Sequence, residues 1–305
     1  MPQRSLSRDQ KQIPLWRGIW RLLRPLTLTA SIMPTLIGTA VAIEQGAWHS
    51  LLFVAMLVAS LLIQVAVNMF NEYYDWRRGL DTADSVGIAG VIVVGGMKAS
   101  LVRNLAVVFF LIALLLGAWI CSVTSWWVAV VGAISMAVGY FYSGGPYPIA
   151  YTPFGELAAA FFMGPVIVVL AYFIQTGDIA WSVWLHAVPI SVLTGSILMA
   201  NNIRDRVGDQ RKRRHTLAIR LGHEDAVRFL GGMFAVAYLW TLGLVAVRVA
   251  SLWLLLVVLA LPVVGLAIRR LVGPKQARQM LPGMKATAQH HALFGLLYTL
   301  GLLLP

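Results

Sequence analysis

Long apolar stretches separated by shorter polar ones dominate the chain. Nine runs are almost free of charge: residues 26–43, 51–70, 101–121, 125–142, 154–174, 183–201, 227–248, 251–269 and 287–304. A run of about 18 or more apolar residues is long enough to cross the hydrocarbon core of a bilayer as a helix. Inside lipid every backbone amide needs a partner within the protein, which makes helices the expected form. The pattern therefore predicts an all-α polytopic membrane protein with nine transmembrane helices. Residues 1–25 would form a basic cytoplasmic segment and residues 26–304 a single transmembrane domain. Gly164-Pro165 falls inside the fifth run and predicts a kink there. The first run is long and many like it follow, so it reads as a retained helix and not as a cleaved signal.

Charge sharpens this picture. The 305-residue chain is 59% hydrophobic and 12% charged, against roughly a quarter charged in soluble domains. Its 24 Lys and Arg against 12 Asp and Glu give a net charge of +12. That excess does not point to nucleic acid, because the basic residues lie between the apolar runs, where membrane topology places them. All but Arg248 fall in or beside the N-terminal segment and alternate connections. This predicts the N-terminus inside the cell, the C-terminus outside, and chemistry on the cytoplasmic face. The single cysteine, Cys121, excludes an intrachain disulfide framework and a Cys-rich metal site.

Two polar clusters interrupt the apolar pattern on the inner side. The first reads NEYYDWRRGLD from Asn71 to Asp81, directly after the second run, with Asp84 shortly beyond. Asn71 and Asp75 are four apart and share one face of a helix, and Glu72 lies beside them. The second reads NNIRDRVGDQRKRR and spaces Asn201, Asp205 and Asp209 by four. The spacing Asn-xxx-Asp thus occurs twice, each time after an even-numbered run, which suggests two halves built alike. Two sets of oxygen donors without a Cys/His set favour Mg²⁺ over zinc. Arg77, Arg78, Arg204, Arg206, Arg211, Lys212, Arg213 and Arg214 stand among the acids. Acids alone would suit a bare cation, whereas acids with arginines suit a metal–diphosphate complex. Solvated helix-end anchors are the plain alternative for either cluster by itself. The matched spacing of the pair and the gathering of most of the chain's acids near them weigh against it. His290 and His291 are adjacent, point to different faces, and predict no metal site. His186 is expected to be structural.

These residues bring a resemblance into view. The stretches RPLTLTASIMPTLIGTA, NMFNEYYDWRRGLDTADSVG, GYFYSGGPYPIAYTPFGEL, NNIRDRVGD and TLAIRLG resemble the UbiA superfamily of intramembrane aromatic prenyltransferases over nearly the whole chain. The NEYYD form and GGPYPIAYTPFGEL resemble its MenA branch, which prenylates 1,4-dihydroxy-2-naphthoate in menaquinone synthesis. The resemblance implies nine transmembrane helices around a lipid-open cavity, with Mg²⁺ and a polyprenyl diphosphate held by the two motifs. It implies metal ligation by Asn71, Asp75, Asp81, Asn201, Asp205 and Asp209, with Asp75, Asp205 and Asp209 catalytic. Arg24 matches an arginine near the polar substrate, and Arg214 a basic residue before the Thr-Leu pair. Glu72 replaces a frequent Asp, and Arg213 a usual glycine. Val94 stands where an arginine is common, with Lys98 or Arg213 the expected substitute.

The implied reaction ionises an allylic diphosphate, and the acceptor ring then attacks the cation, giving demethylmenaquinone after loss of its carboxylate. Aromatic faces stabilise such cations, and Tyr140, Tyr142, Tyr147, Tyr151 and Phe154 are the candidates. Glu72, Arg78, Lys98, Lys212 and Arg214 are expected to contact substrate alongside Arg24, Tyr140, Tyr147 and Tyr151. The uncharged SGGPYPIAYTPFG stretch reads as a wall for the aromatic acceptor, or else as a tight loop. Two other readings stay open: a relative acting on a different aromatic acceptor, and a membrane transporter. The run centres are nearly free of ionisable groups, with Gln64 a rare polar exception, which disfavours transport.

Overall fold

A computed structural model describes residues 13–81, 90–273 and 276–305. Among these residues every regular element is helical. Helix α1 spans Leu15–Leu23, α2 Pro25–Glu44, α3 Ser50–Arg77, α4 Ala99–Val123 and α5 Trp127–Ser143. Helix α6 spans Gly155–Phe162, α7 Pro165–Thr176, α8 Trp181–Arg211, α9 Leu217–Leu221 and α10 His223–Ala246. A 3₁₀ stretch, Leu252–Ala260, leads into α11, Leu261–Leu271, and α12 spans Ala277–Leu303.

Each of the nine apolar runs falls on helix, but the helices are not equivalent. Seven described segments are long and apolar enough to cross a membrane: Pro25–Glu44, Ser50–Arg77, Ala99–Val123, Gly155–Thr176, Trp181–Arg211, His223–Ala246 and Leu252–Leu271. The chain is a multi-pass membrane protein. Helix α5 is apolar but only 17 residues long. Helix α12 has 27 residues, yet its first fifteen carry Arg278, Gln279, Lys285, Gln289, His290 and His291. The kink expected in the fifth run is a full break between α6 and α7. Pro165 has no N–H to continue the ladder, so it starts α7 at its first position, where none is needed.

The core has three parts. The largest joins α2, α7, α8, α10, α11 and α12 around Ile37, Tyr172, Leu193, Phe234, Phe294 and Tyr298. A second joins α1, α3 and α4 with the segment 91–97 around Leu22, Met69, Phe70, Val91 and Met97. A third fills the space between α3, α4, α5 and α7. Large apolar side chains on α4, α5 and α10 point outward instead, including Leu115, Val130 and Leu239. An outward apolar face on a helix that already packs its other side is what lipid contact requires.

Helix α8 is central to the bundle. It packs on α2, α6, α7, α9, α10, α11 and α12, and polar bonds cross its buried face and the neighbouring α10–α12 contact. Near one end His186 Nδ1 lies 2.9 Å from the Tyr298 hydroxyl. Thr194 meets His291 Nε2 at 3.1 Å, while His290 Nε2 meets Tyr238 at 2.9 Å. The adjacent histidines thus take partners on different helices. Each pairs its Nε2 in the packing of α12, while Nδ1 of both is buried without a hydrogen-bond partner among the described residues.

Candidate functional site: a polar chamber over an apolar cavity

Helices α3 and α8 are long and each ends in a polar cluster. Helix α3 carries Asn71, Glu72 and Asp75 on its last turns. It stops at Arg77 because Gly79 adopts a left-handed conformation, φ +68°, that a side chain would strain. Helix α8 continues through Asn201, Asp205 and Asp209 to Arg211. The two ends meet at a chamber of about 1060 Å³. Its walls include Asn71, Asp75 and Asp81 from one side and Asn201, Asp205 and Asp209 from the other, with Arg24, Arg211, Lys212 and Arg214. The structure thus brings together all six predicted metal-ligating residues. Asp84 lies outside the described residues.

A second cavity of about 420 Å³ runs into the bundle between α2, α3, α4, α5, α7 and α8, and its lining is largely apolar. Arg24, Thr27, Asn71, Tyr142, Ile197, Leu198 and Asn201 border both spaces. The motif asparagines therefore mark the passage between them. Four residues on, Asp75 and Asp205 lie about 6 Å farther along each helix and line only the polar chamber. A four-residue step along two helices turns an apolar environment into a polar one.

Arg214 joins the two motifs. Its Nη2 donates to Asp75 Oδ1 at 2.8 Å and its Nη1 to Asp209 Oδ1 at 3.2 Å. All three side chains are largely buried. The face of Tyr151 lies under this guanidinium at 4.8 Å from ring centre. The two acids hold Arg214 firmly protonated although burial alone opposes its charge. Asp209 Oδ2 is buried with no protein hydrogen-bond partner among the described residues. Asp205 is neutralised differently, by the bidentate guanidinium of Arg204 at 2.7 and 2.5 Å. Burial, with the charges of Asp75 and Glu72 nearby, pushes the Asp81 carboxyl up to about 6. Lys212 crosses the chamber edge and donates to the carbonyl of Leu80.

Can these residues hold a divalent cation? Among the described residues no three His, Cys, Asp or Glu side chains already converge on one point. The donors are instead carboxylate and amide oxygens on two sides of a chamber. An oxygen-only set, a buried Asp209 Oδ2 without a protein partner among the described residues, and two acids bridged by a guanidinium fit a hard ion that completes its shell with phosphate oxygens.

Several expected substrate contacts have other partners. Glu72 is buried behind the chamber wall and does not line it. It accepts from the N–H of Gly90 at 2.9 Å and of Ile92 at 3.2 Å and pairs with Arg24 at 3.7 Å. Arg78 donates to the carbonyls of Ser143 and, at 2.7 Å, Gly145, and lies over the rings of Tyr74 and Tyr151. It fastens the Gly-Pro segment to α3. Tyr140 bonds the Tyr74 hydroxyl at 2.5 Å and packs edge-on against Phe70. Tyr147 is 89% exposed, and Lys98 is exposed just before α4. None of these five lines the chamber. Val94 does, whereas neither Lys98 nor Arg213 takes up the place of an arginine there. Arg211 and Lys212 supply the added positive charge.

Three lining groups carry little signal in the sequence. Asn202 donates to Glu156 Oε1 at 2.8 Å, joining α8 to the start of α6. Gln276 and Gln279 reach the chamber from the start of α12. Asn202 could have been noticed as the second residue of the NN pair. The glutamines sit about 200 positions from the first motif and have no local pattern.

A helical membrane bundle whose two Asn-xxx-Asp motifs face each other across one chamber defines a class. The UbiA prenyltransferase family matches residues 31–299, and the chain belongs to it. More particularly, the chain is 49% identical to a Bacillus subtilis (strain 168) protein named 1,4-dihydroxy-2-naphthoate octaprenyltransferase, over 94% of this chain and 92% of that one. A Mycobacterium tuberculosis protein of the same name is 34% identical over 87% of this chain and 89% of that one. Among solved structures, a UbiA homolog from Archaeoglobus fulgidus bound to GPP and Mg²⁺ has the same fold. It aligns with a TM-score of 0.65 at 16% identity, covering 92% of this chain and 99% of that one.

Proposed function

We propose that this protein transfers a polyprenyl group from an isoprenyl diphosphate to 1,4-dihydroxy-2-naphthoate in a Mg²⁺-dependent reaction, releasing diphosphate and the acceptor's carboxylate as CO₂ and giving demethylmenaquinone in its reduced, quinol form. The relatives bearing that acceptor's name support the choice of acceptor. The observation that carries the reading is the passage at Asn71 and Asn201 between a charged chamber and an apolar cavity. A substrate with a diphosphate head and a hydrocarbon tail is the kind of molecule such a passage divides. In this reading the protein sits in a bacterial inner membrane, N-terminus inside, with the chamber toward the cytoplasm. The concentration of Lys and Arg on one set of connections supports that orientation.

Asn71, Asp75, Asp81, Asn201, Asp205 and Asp209 would hold Mg²⁺. When bound, the ion neutralises charge that develops on the diphosphate as the allylic C–O bond breaks. Arg24, Arg211 and Lys212 bind the phosphate oxygens. Arg214 exchanges one carboxylate for a phosphate oxygen as the head group enters, and the ring of Tyr151 holds the guanidinium in plane meanwhile. The apolar cavity takes the tail and keeps water from the allylic carbon. Tyr142 borders both spaces. Its ring is the aromatic face best placed to stabilise the cation until the electron-rich naphthoate ring attacks.

Washed membranes containing the protein, given the naphthoate and a polyprenyl diphosphate, would yield the prenylated product with Mg²⁺ and none with EDTA, read by mass spectrometry. Product with a different aromatic acceptor only would keep prenyl transfer and discard this acceptor. No product with any acceptor, from folded protein, would discard the enzyme reading.

A further inference from the structure

Helix α1 lies outside the apolar runs, within the segment that the sequence assigns to the cytoplasm. Its nine residues, LWRGIWRLL, divide into three faces. Gly18 and Leu22 are buried against the 91–97 segment and α3. The fit at Gly18 is close: an added Cβ would come within 2.5 Å of Met97 Sδ. Leu15, Trp16 and Trp20 form a second face, and they are 58%, 65% and 61% exposed. Arg17 and Arg21 form the third and are also exposed. A helix only passing through solvent has no reason to show two tryptophans and a leucine to water.

The helix cannot continue α2 into the cytoplasm. Between them Arg24 adopts a left-handed conformation, φ 49° and ψ 65°, uncommon for a residue with a side chain, and Pro25 begins a new helix. Arg24 lines the chamber, so α1 sits at the chamber end of the bundle. Exposed tryptophans beside arginines are the composition of a helix lying in the membrane interface. The arginines would face phosphate groups while the indoles rest at the acyl boundary.

We propose that α1 lies in the headgroup layer and docks on anionic phospholipid through Arg17 and Arg21, with Leu15, Trp16 and Trp20 inserted beside it. Charge complementarity selects an acidic lipid surface over a neutral one, because adjacent cationic side chains near a membrane gain attraction from anionic lipid. The proposal does not depend on the reaction, and its test uses no activity.

Spin labels placed singly at positions 15, 16, 17, 20 and 21, in a Cys121→Ala background, would be read by electron paramagnetic resonance in the full chain. The protein would sit in nanodiscs of phosphatidylcholine with about a third phosphatidylglycerol. Labels at 15, 16 and 20 should be reached by oxygen and shielded from a water-soluble nickel reagent, with 17 and 21 showing the reverse. Omitting phosphatidylglycerol, or the double variant Arg17→Gln/Arg21→Gln read from label 16, should raise nickel access several-fold. Equal nickel access at all five positions would overturn the proposal. So would immersion unchanged by lipid charge and by the double variant, which leaves an apolar contact without the anionic partner. Because the labels could themselves disturb packing, depth-dependent quenching of the native Trp16 and Trp20 by brominated lipid provides the second measurement. It is taken as the difference between wild type and Trp16→Phe/Trp20→Phe. No difference would likewise overturn the proposal.

Discussion

The two polar motifs look alike in the sequence and are built differently. In the second, Asn201, Asp205 and Asp209 all lie on α8, so one rigid helix sets all three positions. In the first, the helix carries only two of the three matching positions, Asn71 and Asp75, and the place eight residues after Asn71 is Gly79, which turns the chain away. The next acid, Asp81, comes from coil. Helix α8 is enclosed by seven neighbouring helices, whereas α3 has a more exposed apolar face. Neutralisation differs as well. Asp205 is paired with its own neighbour Arg204, but Asp75 depends on Arg214, 139 positions away. The second motif is thus locally complete, and the first is completed by the fold. Repeated spacing specifies matching positions at the passage between the cavities, where Asn71 and Asn201 correspond. Beyond that point the halves diverge.

The comparison breaks most severely at the acids that face each other. Asp75→Ala and Asp209→Ala should each lower product formation by at least about 10²-fold, since both lose a group that would act on the developing diphosphate charge. Product formation within a few-fold of wild type in either would separate that motif from the chemistry. Arg214→Ala should follow. It leaves two buried carboxylates without their shared cation, a loss of about 3–5 kcal/mol where a buried pair is broken. Thermal unfolding in detergent would show it, and added Mg²⁺ should restore part of the loss, while Arg204→Ala should cost less because Asp205 is about a third exposed.

Glu72 offers a smaller test. Glu72→Ala orphans the buried N–H groups of Gly90 and Ile92, at about 1–3 kcal/mol. Glu72→Gln should retain more stability, because its amide oxygen can still accept. A Glu72→Gln protein that is as stable as wild type but inactive would return Glu72 to the reaction.

Asp81 sharpens the coil-versus-helix contrast through pH. Its folded carboxyl titrates near 6, against an ordinary value of 3.8. A raised acid binds its proton more tightly folded than unfolded, so its ionisation should cost the metal-free protein stability as pH rises from about 4 to 6. Melting temperatures in EDTA across that window should fall less in Asp81→Asn. An equal fall would place the titrating group elsewhere. The smallest effect is expected at Tyr147, whose 89% exposed ring predicts a stability change within about 0.5 kcal/mol on Tyr147→Ala. Product formation should be unchanged within two-fold.

Much of the fold was legible because membrane helices announce themselves in composition: each apolar run became helix, and Gly164-Pro165 became a break. The two glutamate and arginine neighbours of the first motif were less legible. Glu72 and Arg78 have the chemistry of ligands for metal and phosphate, yet they hold the Gly90–Ile92 backbone and the Ser143–Gly145 carbonyls. Residue type announced charge but not direction, since residues one position apart on a helix point about 100° apart. Tyr147 and Tyr151 were equivalent as aromatic candidates. One is at the surface, and the other packs its ring against the guanidiniums of both Arg78 and Arg214. Helix α1 escaped notice because nine residues are too few to register beside runs of about twenty.

By itself, then, the sequence determined that this is a helical membrane protein with two matched oxygen-rich motifs among arginines. Those are properties of apolar length and four-residue periodicity, both carried locally by the chain. Only the tertiary structure decided that Arg214 would span Asp75 and Asp209, and that Asn71 and Asn201 would share a passage. It also turned Glu72 inward to the backbone. Such pairings depend on how α3 and α8 pack and on which carboxylate finds a partner as water leaves. A buried charge takes whatever partner the finished packing brings within reach, and no local spacing encodes that choice.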